Sequence, residues 1–180
     1  MTVSAKRSAV LTVAILVIIL AAYEFPLLRF HGNAWIWGGP GFGYQIRMRA
    51  IPFNQPGKYE FHFRGIPDGK MSLLLYAEGK SDENREELTR LHTSLDALLV
   101  DQRGNIICQA SATTGTAQAD QIWNLMSAYW GAAFWNSSCL HLPLNRSTSY
   151  TLTLRISNVD PNTPRSNLVP VLESDHRTWP

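Results

Sequence analysis

The chain has 180 residues, 45% hydrophobic and 17% charged. That composition describes one globular domain with a little to spare and excludes a disordered polymer. The formal net charge is +2, and Lys6, Arg7 and Arg29 set against Glu24 account for all of it. The chain from His31 onward is therefore balanced, which argues against a nucleic-acid partner.

Lys6 and Arg7 precede an apolar run from Ala9 to Tyr23 that contains Thr12 and that no charge interrupts. Basic residues ahead of such a run favour an orientation with the N-terminus inside. The run is shorter than the roughly 20 residues a spanning helix needs. Phe25, Leu27, Leu28 and Phe30 extend it toward the interface, with Pro26 ending the regular helix. Residues 1–30 are expected to form a signal anchor with one transmembrane helix. A cleaved signal peptide is the alternative, with Leu20-Ala21-Ala22 as a fair cleavage site. Either reading puts residues 31–180 outside the cytoplasm. In a bacterial cell the anchor reading means the inner membrane, with the domain in the periplasm; cleavage would release that domain. Cys108 and Cys139 are the only two cysteines. An even number suits a disulfide in an oxidising compartment, with two buried free thiols as the alternative.

Residues 31–43 read as a Gly-rich linker, since Gly-Gly-Pro-Gly breaks any helix. Trp35 and Trp37 within it suit an interfacial aromatic belt. From residue 44 the period is two. Tyr44, Ile46 and Met48 alternate with Gln45, Arg47 and Arg49; Tyr59, Phe61 and Phe63 alternate with Glu60, His62 and Arg64. Each is a strand with one wet face. Pro67-Asp68-Gly69 is a turn, and Met71 to Ala77 is a continuous apolar run suited to a core strand. The polar stretch around 79–94 is either a short helix with Leu88 and Leu91 on one side or a long loop. Leu95–Val100, Asp101-Gln-Arg-Gly104 and Asn105–Ala110 form a hairpin. Asp120 then caps a predicted short helix near 120–130, because Ile122, Leu125, Met126, Tyr129, Trp130 and Ala133 fall at helical spacing. Tyr150, Leu152, Leu154 and Ile156 mark another clean strand. Leu168 to Leu172 is a last one, and its Pro170 points to a sheet edge.

About eight short strands without regular strand–helix alternation predict an all-β domain over 44–174. The expected form is an antiparallel β-sandwich, jelly-roll or immunoglobulin-like, with a loose tail at 175–180.

Chemistry-bearing motifs are scarce. There is no GxSxG, HExxH, Walker loop or CxxC. Cys139 and His141 lie two apart, too few for a zinc site. The acids around 82–87 lack the Gly and terminal Glu of a calcium loop. The expectation is therefore a non-enzyme with no catalytic residues, cofactor or metal. Aromatic residues are the unusual feature. Trp123, Tyr129, Trp130, Phe134 and Trp135 cluster in one segment. They form either a binding surface, stacking on sugars or anchoring a protein, or a core plug.

The arrangement of an N-terminal anchor followed by GKYEFHF, LDALLVDQRGNII and SYTLTLRIS resembles small membrane-tethered bacterial envelope proteins built on a β-sandwich. Some of these guard against secreted toxins. The resemblance implies a tethered protein-binding module, with an immunity or inhibitor role as its sharpest form; it carries over no site residue. An envelope glycan- or peptidoglycan-binding module using the aromatic cluster is the alternative.

Overall fold

The computed structural model describes residues 11–18, 30–39, 43–79, 85–114, 122–128 and 131–174. Residues 11–18 form a helix, α1, and every one of them is exposed. Among the described residues no helix is long and apolar enough to cross a membrane. The remainder of the expected anchor, 1–10 and 19–29, and the tail at 175–180 lie outside the described residues.

The body is mostly β. In chain order come β1 (His31–Gly32), β2 (Ala34–Gly39), β3 (Gly43–Met48), β4 (Ile51–Pro52), β5 (Gly57–Arg64), β6 (Gly69–Ala77), a short helix α2 (Arg85–Thr89), β7 (Ser94–Asp101), β8 (Ile106–Thr114), β9 (Ile122–Ala128), β10 (Gly131–Trp135), β11 (Leu142–Leu144), β12 (Ser149–Ser157) and β13 (Asn167–Ser174). They build one sheet in the order β1-β5-β12-β7-β8-β9-β10-β6-β13-β3-β2, with β11 on β6 and β4 on β13. The sheet curls on itself and nearly closes like a barrel. All its pairs are antiparallel except β8 with β9, which run parallel at Thr113–Ile122 and Thr114–Trp123.

The two ends of this path are one piece of chain. β1 pairs with Arg64 and Phe63 of β5, the Asn33 amide donates to the His62 carbonyl at 3.1 Å, and β2 then pairs with β3. Gly32 makes the crossing possible. Its φ is +155°, and a Cβ there would run into the backbone of His62 and Phe63. Residues 31–39 are thus not the expected linker. Glycine is used here for close approach between strands, and the apolar Ile36 is drawn into the core.

The core fills the inside of the curl. Phe61, Phe63, Leu99, Leu152 and Leu154 enter from one half of the sheet, and Ile46, Leu73, Leu75 and Phe134 from the other. Phe53 packs on Phe134 with ring centroids 5.6 Å apart, and Phe63 stacks on Tyr150 at 5.9 Å. Leu88 of α2 and the following Leu91 are buried in the same core. The expected disulfide joins Cys108 in β8 to Cys139, in a 3-10 turn after β10, with Cα atoms 5.1 Å apart.

The helix expected near 120–130 is instead the β9–β10 hairpin, paired from Gly131–Ala128 to Trp135–Asn124. The misleading spacing has a physical origin. Trp123 and Leu125 pack on the inner core while Met126 packs on an apolar cluster on the other face. With apolar residues on both faces the period of two disappears, and the remainder imitates a helical one. Pro170 is likewise not at an edge, since β13 lies between β6 and β3. It falls between the stretch of β13 paired with β4, at Asn167 and Leu168, and the stretch paired with β3, from Val171. A residue without an N–H interrupts no pairing on that side.

Candidate functional site

The outer surface of β5, β12, β7 and β8 follows directly from the alternation of those strands. Register places Lys58, Arg155, Asp96 and Ser111 in one row across the sheet. The next row is Glu60, Thr153, Leu98 and Gln109. An open cleft of about 860 Å³ lies on this surface, lined by Lys58, Asp96, Leu98, Gln109, Thr153 and Arg155 among others. Half-buried Leu98 sits among donors and acceptors of both charges. Several groups are held in place. The Ser111 hydroxyl donates to Asp96 Oδ1 at 2.5 Å. Lys58 Nζ lies 2.7 Å from Glu60 Oε1, and this hydrogen bond and charge hold the exposed Glu60 carboxyl below its ordinary value. In the row beyond, His62 Nδ1 meets Thr151 Oγ1 at 3.0 Å.

The outer surface of the other half is built differently. Leu74, Tyr76, Ala133, Val169 and Val171 are buried there as a second apolar cluster, with Met126 and Trp135 packed against it. Beside it is a buried polar group: Glu173 accepts from Gln45 Nε2 and from the Tyr76 hydroxyl, each at 3.0 Å. A carboxylate this deep is held by its donors.

The aromatic residues singled out in the sequence separate on this framework. Trp123 is 1% exposed and donates its Nε1–H to the Leu95 carbonyl at 2.8 Å. Phe134 is equally buried against Phe53. Both are core, on the inner side. Trp135 is half-buried on the outer side, and Tyr129 and Trp130 lie outside the described residues. The large exposed aromatics of the described body are instead Trp35 and Trp37. Cys139 is committed to its disulfide, and His141 is exposed on a left-handed turn with φ of +54°. Among the described residues no three His, Cys, Asp or Glu side chains come together to hold a metal ion.

The sequence pattern named the polar face of β5 but not those of β7 and β12, and it assembled no cleft. Alternation states which side a residue faces; it does not state which strands are neighbours. A scan of family models, a search of curated proteins and a search of solved structures each found no match to the chain.

Proposed function

We propose that this chain is a membrane-tethered binding module of the bacterial envelope whose domain, on the periplasmic side, acts by contact with another protein. The carrying observation is the open cleft on β5, β12, β7 and β8. It has an apolar centre at Leu98 and a surround of mixed charge and hydrogen-bonding groups, the make-up of a protein-binding patch. Its balanced charge suits neither nucleic acid nor a polyanion. The buried disulfide supports an oxidising compartment, and the exposed apolar residues of α1 support a helix that finds its partner outside the domain. An immunity or inhibitor protein is the sharpest form of this reading. Glycan binding by the aromatic cluster has less behind it, because Trp123 and Phe134 are in the core.

The test is affinity isolation of the full chain from envelopes in mild detergent, comparing the native sequence with a Leu98→Arg, Thr153→Arg variant. A stoichiometric protein retained by the first and lost from the second is the expected result. Retention of the same proteins by both would count against the cleft, and retention of none against protein binding.

A further inference from the structure

The tether and the domain meet without a long spacer. Phe30 is half-buried and packs against the core, so the chain is tied to the domain at that residue. The apolar run from Ala9 ends at Tyr23, and Phe25, Leu27 and Leu28 follow it among Glu24, Pro26 and Arg29 before Phe30. Five residues on, and so no more than about 18 Å from Phe30 even in a fully extended chain, comes Trp35. It is 67% exposed, and Trp37 on the same face of β2 is 48% exposed. Two exposed indoles side by side on a strand are costly in water. Trp35 lies opposite Arg47 of β3, and a shallow cleft of about 510 Å³ is shared by Asn33, Trp35, Arg47, Arg49 and Glu78. Arg49 is exposed there.

We propose that the β2 surface bearing Trp35 and Trp37, with Arg47 and Arg49 beside it, rests on the phospholipid headgroup layer of the membrane that holds the N-terminal run. This rests on the tethered reading above and adds an orientation to it. An indole has an apolar body and one polar N–H, and it settles at the boundary between acyl chains and headgroups. A guanidinium matches lipid phosphate through paired N–H donors. The proximity of Phe30 brings that boundary within reach. The domain is then held against the bilayer through β2, at the place where β1 and β2 close the sheet beside β5.

The experiment uses the full chain in nanodiscs of phosphatidylethanolamine and phosphatidylglycerol, with a lipid spin-labelled at the headgroup as quencher of tryptophan emission. The six tryptophans are Trp35, Trp37, Trp123, Trp130, Trp135 and Trp179, so the N-terminal run contributes no signal. The expected result is quenching of the native chain and about twofold less quenching of a Trp35→Phe, Trp37→Phe variant. Circular dichroism checks that the variant is folded, and Trp35→Phe alone, with a smaller loss, replaces it if it is not. Equal quenching of native and variant chains, or no quenching of a chain that co-purifies with the discs, overturns the inference. A chain that does not enter the discs overturns the tether and this inference together.

Discussion

The two outer surfaces of the sheet contrast. On β5, β12, β7 and β8 the outward residues are charged or hydrogen-bonding apart from a few such as Leu98, and they border an open cleft. On β6, β10 and β13 the outward residues include Leu74, Tyr76, Ala133, Val169 and Val171, which are buried. One half of the sheet is therefore wet on its outside and the other is apolar on both sides. The first has a surface of exposed and half-buried residues that can be changed at small cost to the fold. The second is structural on both faces.

That contrast can be broken or sharpened by substitution. The largest effect is expected at Trp123, where truncation to alanine empties a core site and removes the bond to Leu95. The loss is about 3–5 kcal/mol, measured by chemical denaturation. A surface role would leave stability unchanged. Leu74→Ala is expected to cost about 2–4 kcal/mol, although Leu74 faces outward. Leu98→Ala, also outward but half-buried, should cost about 1 kcal/mol or less. Equal losses at the two leucines would erase the distinction between the surfaces. Removing the disulfide by a Cys108→Ala, Cys139→Ala double change is expected to cost about 2–4 kcal/mol, since the bond closes a loop across 31 residues.

How much of this was legible follows the same line. β5 and β12 were plain because each has one wet face, with Phe61 and Leu152 inside and Glu60 and Thr153 outside. The β9–β10 hairpin was not, because Leu125 faces inward and Met126 outward and both are apolar. Pro170 signalled an edge that is in fact a break between β3 and β4. The count of two left one possible pairing for Cys108 and Cys139, but only their 5.1 Å Cα separation decides the bridge against two free thiols. The cleft was not visible. Alternation exposed the wet face of β5, but the adjacency of β12 to both β5 and β7 is a property of long-range pairing. The closing role of 31–39 was hidden for another reason: Gly32 is there for close packing, and glycine in sequence reads first as flexibility.

The smallest expected effect is on acid sensitivity at two turns. Asp101 caps the β7–β8 turn by accepting from the Asn105 side chain and from the amides of Arg103 and Asn105. These bonds, the Asn105 side chain first, hold its carboxyl below its ordinary 3.8. Asp160 is held low chiefly by the Asn162 amide and also accepts from the His92 amide. A carboxyl depressed in the folded state stabilises fully above its unfolded value, and that contribution is lost as pH falls through the folded one. The thermal midpoint should therefore drop as acid is added below about pH 4. The drop should be smaller in an Asp101→Asn, Asp160→Asn variant whose midpoint at neutral pH is already lower. An identical acid profile would remove these turns as its source.

The most direct test of the central claim compares the two outer surfaces in cells. A photo-crosslinking amino acid is placed at Leu98 or Thr153 in the cleft, at Met126 or Trp135 on the other half, and at Arg103 on the β7–β8 turn. The account predicts one envelope protein captured from both cleft positions and from none of the others. Capture of that protein from Met126 and Trp135 but not from the cleft would contradict it.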